Sequence, residues 1–526
     1  MSAALLLVAV LVLPILVVAA GVVRPAGDSW THIARHLLPE YLGNTAVLAA
    51  AAGGLALVLG VGSAWLVSMC DFPLRRHFRW ALVLPLAVPA YMAAYAYAGM
   101  LDVSGPVQRV VRALMPGGDD AFLYWHVMRI EVVAVIFGLV FYPYVYLLTR
   151  SLLEHRSGRL LEAARLLGHG PWSVFFRVAV PLARPAAFAG LALVLMEILN
   201  DYGAVTYYGV TTFTTGIFRA WFALGDLDTA IRLSAVLMVV VLATLWFERW
   251  QRGAARYDDS ASARPAARYR LRGGAAVAAV AFCAAPLLFG FVLPVGQLVL
   301  WTVQLGAAAV DPELLVLARN SFLLALGAAL LCVVVAVVLA YAARLDRSAL
   351  TRSAGKVALL GYSVPGAVIA VGVLVAVLGV ARAMGASGTA IVTGSVAALL
   401  FGYLVRFMAV AFLSVEAGFT RLGPGLQAAA RMLGSSPTGT LFRVELPLLR
   451  RALVAATTLV FVDVLKELPL TLILRPFNFD TLATRSFQLA SDEQLAHSAP
   501  AALLVILTAT VVVALLQTAF EEKSTR

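Results

Sequence analysis

The stretch LEAARLLGHGPWSVFFRVAVPLARP, residues 161–185, recurs in altered form as LQAAARMLGSSPTGTLFRVELPLLRR, residues 426–451. Each copy begins with small residues, reaches a glycine at Gly168 or Gly434, and then continues as a more apolar run. Because glycine adopts left-handed backbone angles at little cost, the pattern predicts two short helices joined by a sharp turn. Two such copies predict a chain built from a duplicated unit.

The duplication extends well beyond these two stretches. Asn44 and Asn320 each begin an apolar segment at an offset of 276 residues, and from Phe141 and Phe407 onward the offset is 266 residues. One register that holds over roughly 85 residues indicates an internal repeat rather than chance. The change of offset predicts a longer loop in the first copy, near residues 102–125.

The composition is that of a membrane protein. Hydrophobic residues make up 62% of the 526 residues and charged residues only 13%. Segments of about 20 apolar residues are long enough to cross the hydrocarbon core of a bilayer. Twelve candidate spans meet this description: residues 3–23, 44–70, 79–101, 127–149, 183–203, 228–247, 273–303, 320–343, 357–381, 387–413, 451–472 and 498–518. The first has no Lys or Arg ahead of it and is longer than the apolar part of a secretory signal, so we interpret it as a retained anchor.

The net charge of +12 is concentrated in alternate loops. Because basic loops stay on the cytoplasmic side, this pattern predicts that both termini are cytoplasmic. Membrane topology accounts for the basic excess, so the bilayer is the expected partner and nucleic acid is not. The basic residues concerned are Arg75, Arg76, Arg79, Arg150, Arg156, Arg159, Arg165, Arg344, Arg347, Arg352 and Lys356.

The repeat and the spans together predict three segments. Residues 1–248 form a first membrane-spanning repeat, residues 249–272 a cytoplasmic linker, and residues 273–526 a second repeat. The linker has too few apolar residues for a folded domain. With six spans each, the two repeats share one orientation and are expected to be related by a pseudo-two-fold axis along the membrane normal.

The duplicated stretch resembles the loop of binding-protein-dependent importer permeases, in which E-A-A is followed by a glycine and then a proline. Matching positions in the first copy are Glu162, Ala163, Ala164, Gly168 and Pro181; those in the second are Ala428, Ala429, Ala430, Gly434 and Pro447. A single departure stands out, since Ala428 occupies the position of the motif's glutamate. It predicts two docking sites of unequal strength. The alternative for these loops is an amphipathic helix on the bilayer surface.

This resemblance implies the permease of a type I ATP-binding-cassette (ABC) importer, with two permease domains fused in one chain, in the bacterial inner membrane. It implies two copies of a cytoplasmic ATP-binding subunit, which would bind ATP and magnesium, and a periplasmic substrate-binding protein. The chain itself contains no G-x-x-x-x-G-K-[ST] phosphate loop, so ATP hydrolysis is assigned to the separate subunit. No cofactor and no enzymatic activity are expected of the chain, because no nucleophile or metal constellation occurs in it.

The stretch FVDVLKELPLTLILRPFNFDTLATR, residues 461–485, resembles the ferric-iron permeases of the twelve-span fused type. Independently of that resemblance, the repeat aligns two carboxylates per copy, Glu197 with Asp463 and Asp201 with Glu467. Carboxylate oxygens suit a hard cation such as Fe³⁺, so these acids are candidates for the substrate path, without a tight metal site. Alternatively, Lys466 and Arg406 neutralise them as structural pairs.

Three tyrosines could contribute to substrate binding, and two alternative functions remain open. Tyr202, Tyr207 and Tyr208 suit either iron binding or aromatic anchoring at the membrane interface. Similar fused permeases carry thiamine, phosphonates or other small solutes, and a carboxylate-lined path would disfavour those that are anions by repulsion. A secondary transporter is the more distant alternative, because such proteins usually show inverted repeats and broken midspan helices.

Overall fold

The computed structural model describes residues 2–114 apart from 22 and 24–26, residues 127–252 apart from 157, and residues 267–346, 360–383 and 395–521 apart from 424. Besides the predicted spans 3–23, 357–381 and 387–413, two predictions lie partly outside the described residues. They concern the long loop, of which residues 115–126 are not described, and the linker, of which residues 253–266 are not described. The basic residues Arg347, Arg352 and Lys356 also lie outside them.

The described part of the first half is almost entirely helical. Its elements are α1 (Ser2–Gly21), α2 (Asp28–His36), α3 (Leu38–Met69), β1 (Cys70–Asp71), α4 (Arg75–Ala81), α5 (Ala90–Leu101), α6 (Pro106–Leu114), α7 (Ile130–Arg156), α8 (Gly158–Leu166), α9 (Pro171–Val174), α10 (Val180–Asn200), α11 (Gly203–Tyr207), α12 (Phe213–Phe218) and α13 (Leu227–Arg252). Single π-helical turns lie at Phe175–Ala179 and Arg219–Ala223, and a 3-10 turn at Leu84–Ala87.

The second half repeats this build. Its elements are β2 (Tyr269–Arg270), α14 (Gly274–Leu287), α15 (Leu293–Leu305), α16 (Pro312–Leu345), α17 (Leu360–Ser363), α18 (Gly366–Ala383), α19 (Val396–Leu422), α20 (Gly425–Met432), α21 (Pro437–Thr440), α22 (Leu446–Lys466), α23 (Pro469–Leu474), α24 (Leu482–Ser491) and α25 (Leu495–Glu521). π-Helical turns lie at Leu288–Val292 and Leu441–Glu445, and a 3-10 turn at Gly306–Ala309.

Among the described residues, eight helices are long and apolar enough to cross a membrane, or nine if one bent pair counts as a span. The bent pair joins Arg75–Ala87 to Ala90–Leu114 at 90°, and two shorter apolar helices, Leu5–Gly21 and Gly366–Arg382, fall on further predicted spans. Helix α22 is absent from this set; it carries two arginines, an aspartate and a lysine. The all-α polytopic fold is confirmed, while the number of twelve spans stays a prediction.

The same three-helix arrangement occurs in both halves. Helices α3, α7 and α10 pack against one another, and so do their counterparts in the repeat, α16, α19 and α22. Close approach within the first set is possible where small residues face a neighbouring backbone; Gly190 of α10, for example, lies directly against Val145 of α7. The repeat read from the sequence therefore corresponds to a repeated packing unit.

The compact units of the structure do not follow the order of the chain. One unit, called here the 32–216 unit, comprises His32–Gly216, Val239–Ala309 and Ser486–Arg526. Another, the 310–485 unit, comprises Met1–Thr31, Ile217–Met238 and Val310–Arg485. The division of the sequence into repeats at residues 1–248 and 273–526 stays a prediction. The compact units differ from these repeats, because each unit contains helices from both.

The first span of each repeat packs with helices of the other repeat. In the 310–485 unit α1 packs on α18, and Gly372 lies so close to Pro14 that a Cβ there would come within 2.4 Å of the Pro14 carbonyl oxygen. In the 32–216 unit α15 packs on α5 of the first repeat, and also on α25 of its own repeat. Small residues at the contact let two helix backbones approach closely, which in a bilayer replaces the hydrophobic effect as the source of association.

The described end of the linker is ordered against the first repeat. Strand β2 pairs in parallel with β1, with Cys70 opposite Tyr269 and Asp71 opposite Arg270. The absence of a folded domain in the linker stays a prediction, because residues 253–266 are not described. All three cysteines, Cys70 among them, are buried and free.

Helix α13 begins at a capped end. The Asp226 carboxylate accepts hydrogen bonds from the backbone N–H of Thr229 at 2.9 Å and from its hydroxyl at 2.8 Å. Burial raises the pKa of the Asp226 carboxyl, but these hydrogen bonds outweigh it and hold the pKa below its usual range. The cap fixes where this helix starts.

Candidate functional site

The two duplicated stretches adopt the same backbone, and we call them motif loop 1 (residues 158–181) and motif loop 2 (residues 425–447). In motif loop 1, helix α8 ends before Gly168, whose φ is +84°. The Gly168 N–H donates to the Arg165 carbonyl at 2.9 Å and the His169 N–H to the Ala164 carbonyl at 3.3 Å. These two bonds make a Schellman motif, the helix ending that requires a left-handed residue.

Motif loop 2 reproduces these contacts. Gly434 has φ +81°, its N–H donates to the Arg431 carbonyl at 3.0 Å, and the Ser435 N–H donates to the Ala430 carbonyl at 3.0 Å. A single π-helical turn follows in each loop, at Phe175–Ala179 and at Leu441–Glu445. The sequence prediction of two short helices separated at a glycine is therefore met in both copies.

The small residues of the motif are divided between the interior and the surface in the same way. Ala164 and Ala430 are buried, whereas Glu162 and Ala163 of the first copy are exposed. Ala428 and Ala429 of the second copy, and Pro181 and Pro447 after the turns, are also exposed. One alanine therefore fixes each helix to its unit, while the neighbouring small residues remain accessible.

Sequence reasoning missed the residues that give these loops an apolar surface. Leu166 and Leu167 are 89% and 79% exposed, and at the equivalent positions Met432 and Leu433 are 90% and 89% exposed. An apolar pair immediately before a helix-ending glycine was the available signal. Large apolar side chains exposed at matching positions of two repeats mark a surface that either a protein partner or the bilayer covers.

The two loops are held by different contacts. The Arg165 guanidinium of motif loop 1 lies 3.9 Å from the centre of the Tyr269 ring and donates to the Ala267 carbonyl. Strand β2 of the linker therefore supports the first loop.

Motif loop 2 is supported by its own repeat. The Arg344 guanidinium lies 3.4 Å from the fully buried Glu445 carboxylate and donates to the Phe419 carbonyl at 2.8 Å. In addition, the Tyr341 hydroxyl donates to the Pro437 carbonyl at 2.6 Å. The first repeat has alanine, Ala179, where the second has Glu445, so this buried ion pair belongs to motif loop 2 alone.

Asp201 and Glu467 perform the same structural task in the two repeats. Asp201 follows the end of α10 and accepts from the N–H groups of Ala204 and Val205 at 3.0 and 3.2 Å. Glu467 follows the end of α22 and accepts from the N–H groups of Leu470 and Thr471 at 3.1 and 3.2 Å. Each acid thereby caps the short helix that follows its span.

The buried Glu467 also has a cationic partner. The Arg406 guanidinium lies 3.7 Å from its carboxylate, and both side chains are buried. Thr471 donates to the same carboxylate at 3.2 Å and shares a hydrogen bond with the Tyr403 hydroxyl at 2.6 Å. Val140 stands in the first repeat where Arg406 stands in the second, so this ion pair occurs in one copy only.

The other two candidate acids are less enclosed. Glu197 is half-buried and accepts from the Tyr144 hydroxyl at 3.1 Å. Asp463 is half-buried and lies 3.8 Å from the Lys466 ammonium. Both structural pairs considered from the sequence, with Arg406 and with Lys466, are therefore present. Placement of the four acids along a substrate path stays a prediction.

The three tyrosines take part in packing within the 32–216 unit. The Tyr208 hydroxyl donates to the Ala94 carbonyl at 3.1 Å, the Tyr207 ring lies 4.7 Å from that of Tyr95, and the Tyr202 ring lies 5.6 Å from that of Phe487. Across the described residues, no group of three or more His, Cys, Asp or Glu side chains is placed to hold a metal ion.

Repeated helical cores, several membrane-crossing helices and two equivalent exposed loops define a multi-pass membrane protein of the duplicated permease class. The chain belongs to the family of binding-protein-dependent transport system inner membrane components, which matches residues 2–252 and 333–526. Two matches in one chain confirm the prediction of fused permease domains. As a transport permease, the chain is not itself an enzyme.

Relatives of known class cover the chain to different extents. The Fe(3+)-transport system permease protein of Haemophilus influenzae is 26% identical over 488 residues, covering 92% of this chain and 90% of the relative. The molybdenum transport system permease protein of Escherichia coli is 27% identical over 202 residues, covering 37% of this chain and 85% of the relative. The spermidine/putrescine transport system permease protein of Haemophilus influenzae is 27% identical over 177 residues, covering 33% of this chain and 60% of the relative.

Proposed function

We propose that the chain carries ferric iron from a periplasmic binding protein to the cytoplasm, driven by two copies of an ATP-binding subunit that dock on motif loops 1 and 2. The observation that carries the docking is the matched exposure of Leu166 and Leu167 with Met432 and Leu433. Helices that end in the same Schellman turn present these pairs in the same way. Both loops, and hence both chain termini, are assigned to the cytoplasmic side.

Iron is favoured by the extent of the resemblance. The Fe(3+) permease aligns with nearly the whole chain, including both repeats, whereas the molybdenum and polyamine permeases align with about a third of it. The acids add a chemical reason, since a path containing Glu197 and Asp463 would attract a hard cation and repel an anion such as a phosphonate. Thiamine, a phosphonate or another small solute is the alternative cargo.

The structure indicates which acids to test. Asp201 and Glu467 cap helices, so their removal would disturb the fold. Glu197 and Asp463 are half-buried and less enclosed, so they can be neutralised with less structural cost. Of the four candidates, this pair is the better choice for a role in moving the substrate.

The test is uptake by proteoliposomes that contain the chain, the ATP-binding subunit and the ferric-loaded binding protein. We expect ATP-dependent uptake of iron but not of molybdate, and no ATP hydrolysis by the chain alone. Glu197→Gln combined with Asp463→Asn should lower iron uptake at least about tenfold while basal ATP hydrolysis and membrane abundance stay near normal. Normal iron uptake at normal abundance would rule out the path through these acids, and uptake of an anion alone would rule out iron as the cargo.

A further inference from the structure

A strongly basic cavity of about 750 Å³ lies in the 32–216 unit, between the loop after α3 and the end of the linker. Its walls come from residues 71–77 on one side and residues 267–270 on the other. Four arginines line it together with a histidine, and one acid, Asp71, is among the lining residues. The lining cations are Arg75, Arg76, His77, Arg268 and Arg270.

The contacts of two arginines hold this positive charge in place. The Arg75 side chain is only 11% exposed, lies 3.6 Å from Asp71 and donates to the Val67 carbonyl at 3.0 Å. Arg268 donates to the Ser68 carbonyl at 3.3 Å. Arg76, Arg268 and Arg270 are exposed at the cavity. Since like charges gathered in one cavity repel one another, an anion bound among them would be favoured.

The backbone of the cavity wall is strained. Leu74 has φ +62°, in the left-handed region that residues with a Cβ rarely adopt. Such a conformation costs of the order of 1 to 2 kcal/mol and is found preferentially at binding sites. Here it separates β1 from α4 and so places Arg75 and Arg76 beside the linker strand.

The position of the cavity relative to the apolar helices indicates the source of the anion. Helix α3, a membrane-crossing helix, ends at Met69, and the apolar bent pair begins at Arg75, so the cavity lies where apolar helices give way to water. Leu74, which lines the cavity, is 57% exposed, and Trp80, on the helix that begins at Arg75, is 41% exposed. A basic cavity with exposed Leu and Trp beside it matches the boundary between lipid headgroups and acyl chains.

We propose that this cavity binds the phosphate headgroup of an anionic phospholipid. Arg76 and Arg270 contact the phosphate oxygens, Arg75 and Arg268 supply positive charge behind them, and Leu74 and Trp80 lie against the acyl chains. Guanidinium groups bind phosphate strongly, because two parallel N–H donors match two phosphate oxygens.

Occupancy of this site affects motif loop 1. Residues Arg268 and Arg270 flank Tyr269, and the Tyr269 ring packs under Arg165 of that loop. A bound headgroup would therefore stabilise the linker strand that supports the first loop, whereas motif loop 2 has no such contact with the linker among the described residues. Only this effect on ATPase coupling, and the assignment of the cavity to the cytoplasmic leaflet, rest on the proposed function.

The test measures lipid binding by the full chain without any partner. Purified chain is exchanged into phosphatidylcholine nanodiscs with a minor fraction of cardiolipin, and native mass spectrometry counts the cardiolipin retained after release. Arg76→Gln combined with Arg270→Gln should weaken cardiolipin binding about 30-fold. The matched control, Arg450→Gln with Arg451→Gln, removes two exposed arginines of α22 and should change binding by less than about twofold.

Equal retention in all three proteins, or equal loss in the two variants, would overturn the proposal. Thermal stability measured in inorganic phosphate without lipid distinguishes a lipid headgroup from free phosphate. If inorganic phosphate stabilises the chain as much as cardiolipin does, and through the same arginines, the lipid assignment is overturned. Because no substrate or ATP is used, a negative result leaves the proposed transport function unaffected.

Discussion

Arg406 and Glu467 form a buried ion pair within a wider polar network. The Glu467 carboxylate is within 3.7 Å of Arg406 and also accepts from two backbone N–H groups and from Thr471. A buried charge is tolerated when a partner charge and hydrogen bonds replace water. Asp201 performs the same capping task in the first repeat, where Val140 occupies the position of Arg406, so the cap is common to both repeats and the cation is particular to the second.

Removal of the cation alone should therefore be costly. Arg406→Leu leaves the Glu467 carboxylate buried without its partner and should destabilise the protein by about 3 to 5 kcal/mol. Thermal unfolding in detergent, followed by size-exclusion chromatography, measures this. Lys466→Leu is the matched control, because its pair with Asp463 is partly exposed and should contribute about 1 kcal/mol or less. Equal stability of the two variants would show that the Arg406 pair does not support the fold.

At the scale of elements, the motif loops depend on one unusual backbone angle each. Gly168 and Gly434 adopt φ values near +80°, and a Cβ at either position would meet no atom within 4 Å. The requirement for glycine is therefore conformational and not steric. A substitution there should change the direction of α8 or α20 relative to the chain that follows the turn. The core should stay undisturbed.

A comparison of two glycines in the same loop tests this. Gly168→Ala should cost about 1 to 2 kcal/mol locally and weaken binding of the ATP-binding subunit several-fold. Gly170→Ala should be nearly neutral, because Gly170 has φ −68° and equally open surroundings. Subunit binding is measured by co-purification and by stimulated ATP hydrolysis. Equal effects of Gly168→Ala and Gly170→Ala would show that the turn does not orient the loop. Subunit binding by Gly434→Ala, compared with that by Gly168→Ala, then measures whether the second loop is the weaker docking site.

At the scale of the whole molecule, each compact unit is completed by a helix from the other repeat. In the 310–485 unit the contact is between α1 and α18, where Gly372 meets Pro14. Such an arrangement makes the folding of one repeat depend on the other. Neither repeat expressed alone has all the helices of a compact unit.

Gly372→Leu should displace α1 from α18, because even a Cβ at this position would lie 2.4 Å from the Pro14 carbonyl oxygen. Overpacking of this kind costs about 1 to 3 kcal/mol and should lower the unfolding temperature and expose the 310–485 unit to protease. Gly379→Leu on the same helix is the control, since nothing lies within 4 Å of a Cβ there. If protease sensitivity is the same in both variants, the contact between α1 and α18 contributes nothing to the unit.

The sequence by itself determined the class of protein, the repeat and the position of the turns. Apolar run length, the register that relates Asp201 to Glu467, and the glycines Gly168 and Gly434 are local properties, and local properties can be read along a chain. Tertiary structure alone decided which helices complete each unit, that Glu467 meets Arg406, and that β2 of the linker pairs with β1. These are contacts between residues far apart in the chain, and they depend on close approach at particular atoms, such as Gly372 against Pro14, which no periodicity specifies.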